Sequence, residues 1–231
     1  MRNKARLVAA LLAGIASGAA VAASPPDTMT QRMQACFVCH GKEGRATNAG
    51  YFPRIAGKPA GYLYNQLVNF RDGRRSNATM TYLLDQMSDA YLHEIASYFS
   101  SLDLPYPAPQ TTEAPAAVLA RGEHLVRKGD TQHGIPACSA CHGAAMTGVA
   151  PAMPGLLGLS RDYLLGQIGA WRNGRRKATA PDCMAEVARR LSPDDVTAAA
   201  TWLSAQAVPG QFAPASSLPG KPPLECGSGV R

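Results

Sequence analysis

Cys36-Phe37-Val38-Cys39-His40-Gly41 is read again 102 residues later as Cys138-Ser139-Ala140-Cys141-His142-Gly143. The register persists downstream. Pro53, Gly57, Tyr62-Leu63, Gln66, Phe70-Arg71 and Gly73-Arg74-Arg75 return as Pro154, Gly158, Tyr163-Leu164, Gln167, Trp171-Arg172 and Gly174-Arg175-Arg176, shifted by 101. Met80 and Ser88 return as Met184 and Ser192, shifted by 104. Such a period is too long for a solenoid, whose units run to roughly 20–50 residues. The chain therefore reads as two similar domains from a duplication.

The flanks fit that reading. Arg2, Lys4 and Arg6 precede an apolar stretch over 7–22, which ends in Ala20-Val21-Ala22. A basic start, a short apolar core and a small-residue cleavage pattern make a secretory signal peptide. Without its three basic residues, the chain keeps 20 basic and 16 acidic side chains, a net of +4. That excess is small and no arginine-rich tract occurs, so nucleic acid is not an expected partner. No stretch of the mature chain approaches the ~20 apolar residues of a membrane span. Four prolines between 104 and 115 mark an extended connector. The expected order is leader 1–23, first domain 24–103, Pro-rich linker 104–116, second domain 117–207 and a Pro/Gly-rich tail 208–231.

Each half is expected to be all-α. A short helix over 28–39 leads into the first cysteine motif. Tyr62, Gln66, Leu67 and Phe70 recur at helical spacing, closed by Gly73 as a C-cap. Ser88 is an N-cap signal ahead of the stripe Leu92, Ile95, Ala96 and Phe99. In the second half Ser192 caps, Pro193 takes the first helical position, and Val196, Ala199, Ala200 and Leu203 form the stripe. A few short helices make a poor core unaided, and a large apolar prosthetic group in each half would supply the missing interior.

C-x-x-C-H is the attachment motif of c-type haem. Two thiols about one helical turn apart can each add to one vinyl group, and the adjacent imidazole then faces the iron. A redox-active C-x-x-C needs a βαβ context that is absent. A four-cysteine zinc site would have to bridge the two repeats and would leave His40 and His142 unexplained. The expected attachment residues are Cys36, Cys39, Cys138 and Cys141, with His40 and His142 as iron ligands. Met80 and Met184 lie 40 and 42 residues after those histidines, in what reads as a loop before the last helix of each half. Both are preserved by the repeat, and both are expected as the second axial ligands. A thioether favours ferrous iron, and a filled coordination sphere suits electron transfer rather than catalysis. Met29, Met33, Met87, Met146 and Met153 read as core or surface residues. His93, His124 and His133 have no repeat partner and read as exposed. The runs Arg74-Arg75 and Arg175-Arg176-Lys177 admit three readings: a solvated loop, neutralisation of haem propionates, or docking to an acidic partner.

Over about 24–206 the chain resembles the dihaem cytochromes c4. The resemblance rests on the two C-x-x-C-H-G motifs, the Pro53–Gly57–Tyr62-Leu63–Gln66-Leu67 segment, Met80 with Met87-Ser88-Asp89, and Gly134-Ile135-Pro136-Ala137-Cys138. It implies two tandem class I cytochrome c domains, each a small helical fold around one covalent haem c and its iron. It implies that the carbonyls of Pro53 and Pro154 accept a hydrogen bond from the ligating histidines. It also implies a periplasmic carrier between a quinol-oxidising complex or dehydrogenase and a membrane-bound terminal oxidase or other acceptor.

Two features depart from the family pattern. The second half has three extra residues before its methionine, within 177–183, and it adds Cys183 beside Met184 and Cys226 in the tail. In an oxidising compartment Cys183 and Cys226 are expected to form a disulfide that pins the tail. The alternative is a free Cys183 thiolate on iron in place of Met184, which would fit a dihaem enzyme of the thiosulfate dehydrogenase type. A dihaem peroxidase is disfavoured, because its catalytic haem needs an open axial position.

Overall fold

The structure, a computed structural model, describes residues 26–47, 50–218 and 220–229. The signal-peptide segment lies outside the described residues. The first half runs α1 (Met29–Arg32), α2 (Gln34–His40), a 3-10 turn at Lys42–Gly44, α3 (Ala60–Arg71), α4 (Ala78–Leu84) and α5 (Asp89–Ser100). The second runs α6 (Ala116–Arg127), a 3-10 turn at Thr131–His133, α7 (Ser139–His142), strands β1 (Gly148–Val149) and β2 (Met153–Pro154), α8 (Arg161–Arg172), α9 (Cys183–Arg190) and α10 (Pro193–Ser204). The repeat is structural: α3 and α8 have 12 residues each, as do α5 and α10. The sequence pattern shows no strand, and the described residues add only the two-residue pair β1–β2.

In the first half α3 packs on α5, burying Leu63 and Phe70 against Leu92, Ile95, Ala96 and Phe99, with Met33 and Leu84 in the same cluster. In the second, α10 packs on both α6 and α8, burying Val126, Leu164, Ala200, Trp202 and Leu203. Local chemistry sets the helix starts. Ser88 accepts from the Tyr91 amide, and Ser192 forms a capping box with Asp195. The crossing of α6 with α10 requires a glycine. A Cβ on Gly122 would lie 2.3 Å from the Ala198 carbonyl oxygen.

The halves are joined along a seam. The backbones pair at Arg75 and Arg176, with Ser76 N donating to Arg175 O (2.8 Å) and Lys177 N to Arg74 O (2.7 Å). Gly61 N donates to Pro151 O at 2.9 Å. The connector has no helix or strand, yet it is held at several points. Arg54 donates to Leu104 O and Pro105 O, stacks on Tyr106, and Gln110 N donates to Ser204 O. The tail folds back over the second half. Ala215 exchanges backbone hydrogen bonds with Gly148 and Ala150, Gly227 N donates to Pro181 O, and Cys226 is disulfide-bonded to Cys183 with a Cα–Cα distance of 5.1 Å.

Candidate functional site

Each C-x-x-C-H motif lies on helical backbone that ends at its histidine. Helix α2 carries Cys36, Cys39 and His40, and α7 carries Cys141 and His142 just after Cys138, itself helical. Residues three apart share a helix face, so each thiol pair points the same way. The glycine after each histidine stops the helix in a conformation closed to other residues. Gly41 has φ 74° and Gly143 φ 84°, and a Cβ would come to 3.0 Å from Ala46 N or 3.1 Å from Gly148 O. The chain then turns back toward the imidazole. In the second half, pairing of β1 with β2 sets Gly148 opposite Pro154.

The result is the same contact twice. His40 Nδ1 lies 2.9 Å from the Pro53 carbonyl oxygen, and His142 Nδ1 lies 2.7 Å from that of Pro154. A carbonyl only accepts, so Nδ1 carries the proton and Nε2 keeps its lone pair. Burial pushes both imidazoles below their usual pKa, against the raising effect of these carbonyls. The neutral ring, oriented by its second nitrogen, is the form that binds a metal. None of the four motif cysteines is in a disulfide. Burial raises the pKa of Cys36 and Cys141, and that of Cys138 to about 11, so these thiols are protonated at neutral pH. Two cysteines on one face beside an imidazole oriented by a proline carbonyl, met in both halves, fit covalent haem attachment in each half.

Met80 and Met184 sit in helices, not in the loop expected for them. Asn77 caps α4 by accepting from the Met80 amide at 3.0 Å, and Asp182 caps α9 by accepting from the Ala185 amide at 3.0 Å. Each methionine therefore lies in the first turn of a short helix. Met80 packs on the same core cluster as Cys36. Met184 is the immediate neighbour of the bonded Cys183. Met33 and Met146 are core residues, as expected. His93 is exposed and stacks on Tyr64 at 3.6 Å, His133 pairs with Asp130, and His124 is exposed.

The basic runs are solvated only in part. Arg75 and Arg176 are buried in the seam, while Arg175 and Lys177 are exposed. The repeat held the signal for this cluster, since Tyr62, Gln66 and Arg75 recur as Tyr163, Gln167 and Arg176. Lys58 had no such signal, its counterpart being Leu159. Its side chain is buried, and Nζ donates across the seam to Gly155 O at 3.0 Å. Burial, with the Arg54 charge adding to it, pushes its pKa down to about 7.

No protein-family model matches the chain. Among curated relatives, a "Thiosulfate dehydrogenase electron acceptor" of Thiomonas intermedia is 40% identical over 83% of this chain and 85% of the relative. A "Cytochrome c4" of Pseudomonas aeruginosa is 33% identical over 85% of this chain and 96% of that protein. Among solved structures, reduced cytochrome c4 from Pseudomonas stutzeri superposes with a TM-score of 0.66 at 30% identity, covering 76% of this chain and 95% of that one. The thiosulfate dehydrogenase TsdBA from Marichromatium purpuratum superposes with a TM-score of 0.67 at 30% identity. That likeness covers 75% of this chain, which spans about a third of the dehydrogenase, 36% of its length.

Proposed function

The chain belongs to the cytochrome c4 family of dihaem c-type cytochromes, and on that premise we propose that it is a periplasmic electron carrier that accepts electrons from a dehydrogenase and passes them toward a terminal oxidase. It is an electron-transfer cytochrome of two class I domains and carries two covalently attached haem c groups. Cys36 and Cys39 hold the first, and Cys138 and Cys141 the second. His40 and Met80 ligate one iron, His142 and Met184 the other. Each haem supplies one reversible one-electron couple when bound.

The chain's own residues do the rest. The Pro53 and Pro154 carbonyls hold the Nδ1 protons of His40 and His142 and fix the direction of each Nε2 lone pair. The soft sulfurs of Met80 and Met184 favour the ferrous state and raise the potential. Core side chains such as Phe99 and Leu164 exclude water around each site. The observation that carries this reading is the doubled histidine-to-proline contact, made in both halves inside a C-x-x-C-H-G motif.

The relative named as a thiosulfate dehydrogenase electron acceptor points to a thiosulfate-oxidising enzyme as donor. The leader at 1–23 and the Cys183–Cys226 bond support export to the periplasm. The rival reading, a dihaem enzyme that itself oxidises thiosulfate, draws on the likeness to TsdBA. It has less support, because Cys183 is engaged with Cys226 and its sulfur is not available as a thiolate ligand. Stopped-flow mixing separates the two. The oxidised holoprotein is expected to stay oxidised with thiosulfate alone and to be reduced once a thiosulfate dehydrogenase is added. Thiosulfate-dependent turnover by the holoprotein alone would establish the enzyme instead.

A further inference from the structure

The two methionines are held in place by different means. Met80 packs against the core cluster of its half. Among the described residues, Met184 joins none of the three apolar clusters. It is half-buried in the first turn of α9, next to the bonded Cys183. The chain from Arg176 to Met184 is three residues longer than that from Arg75 to Met80. A longer loop with little apolar packing opens more easily. Something other than packing must hold Met184 in position.

The C-terminal tail does so. It first pairs with β1, where Ala215 N donates to Gly148 O (2.9 Å), Ala150 N to Ala215 O (2.8 Å) and Thr147 Oγ1 to Ala213 O (3.3 Å). Its end then meets the long loop. Gly227 N donates to Pro181 O (2.9 Å), Thr179 N donates to Ser228 Oγ (3.3 Å), and Cys226 closes the disulfide to Cys183, 43 residues earlier. A Cβ on Gly227 would collide with the Ala180 carbonyl, so the tail lies backbone to backbone on the loop. Asn65 of α3, in the first half, donates to Ser228 O at 3.3 Å. The loop is also closed on itself. Asp182 accepts from Ala178 N at 2.7 Å and from Ala185 N at 3.0 Å. Met184 is thus framed on one side by a covalent bond and on the other by a capped amide. The matching stretch 76–80 contains no cysteine.

We propose that the tail is a strap, fastened by the Cys183–Cys226 bond, that holds Met184 on the second iron, a task that core packing performs for Met80 on the first. This inference rests on the dihaem reading and on Met184 as a ligand. A methionine side chain turns about three bonds, so its sulfur stays near the iron only as long as its backbone does. With the strap fastened, a sulfur that leaves the iron remains within reach and returns. A competing ligand then meets a high local concentration of thioether. With the strap open, the loop moves away and that concentration falls. Cys183 and Cys226 are therefore positioning residues for the second haem alone.

The test is a titration of the ferric holoprotein with imidazole, which competes for the sixth position of each iron. Displacement is followed by loss of the long-wavelength thioether band, and Met184→Ala identifies the titration that belongs to the first haem. The double variant Cys183→Ser, Cys226→Ser is expected to exchange Met184 for imidazole at a concentration lower by on the order of tenfold. The Met80 midpoint is expected to stay where it is. The folded wild type gives the same test without substitution, should the variant fail to fold. A dithiol opens the bond, becoming a disulfide itself as each cysteine gains one hydrogen, and the protein is then alkylated and reoxidised. The same shift, again at the second haem only, is expected. Two attached haems with the Met184 midpoint unmoved would overturn the strap. Equal movement of both midpoints would mean general loosening and would overturn it as well. A haem count below two, or a Met184→Ala variant that keeps its full band, would instead overturn the reading beneath, and both are measured before the titration.

Discussion

At the scale of single residues, function depends on what fixes the two histidines and what faces them. Attachment chemistry leaves little freedom: two thiols one turn apart, an imidazole next, and a residue able to reverse the chain. Cys36, Cys39, His40 and Gly41 were therefore legible from spacing alone, as were their counterparts in the second half. The proline carbonyls were legible only through the family resemblance, since a hydrogen bond across 12 or 13 residues leaves no mark in the spacing. The repeat singles out Met80 and Met184 as candidate ligands in a loop, whereas the structure places both in short helices. Asn77 and Asp182 each start a helix of only 7 or 8 residues, too short to show a periodic stripe, so capping rather than pattern creates it. As axial ligands, Met80 and Met184 make a specific expectation. Met80→Ala and Met184→Ala should each keep both haems attached, because the cysteines do that. Each should also lose part of the long-wavelength ferric absorption band that reports a thioether on iron, and lower one potential. Absorption spectra and redox titration of the two variants check this, and a variant with its full band would acquit that methionine.

At the scale of elements, the long helices followed from apolar stripes, and the stripes named the right core. Leu92, Ile95, Ala96 and Phe99 of α5 are all buried, as are Val196, Ala200 and Leu203 of α10, while Ala199 of the expected stripe is half-buried. Helix α6 was not read, because its buried positions, Gly122, Leu125 and Val126, are few and include a glycine. That glycine is there for contact rather than flexibility. The Ala198 carbonyl of α10 occupies the space a side chain would need, with the Trp202 Cβ at 2.7 Å from the same point. Gly122→Ala must push α6 off α10, and the intrinsic helix preference for alanine does not offset that displacement. Overpacking of this kind costs about 1–3 kcal/mol. Thermal melts of the holoprotein should show Gly122→Ala melting below wild type, and an unchanged or raised midpoint would mean that the crossing is looser than described.

At the scale of the whole molecule, the duplication was visible but the joint was not. The repeat predicts two similar halves and says nothing of how they meet. The arginines at the seam read equally well as solvent-facing, and only the assembled structure buries Arg75 and Arg176 between domains. The connector and tail were read as extended from their prolines. Their anchors, Arg54 on the connector and Ala215 on β1, lie too far apart in sequence to be inferred from it. Both halves nonetheless serve one claim, that this chain carries two haem c groups on four cysteines. Intact-mass spectrometry of the protein, expressed with its haem-attachment machinery, tests that claim most directly. The expected result is a mass increase of two haems that survives denaturation, with Cys36, Cys39, Cys138 and Cys141 all consumed. A mass increase of one haem or none, with motif thiols still free to alkylate, would contradict it.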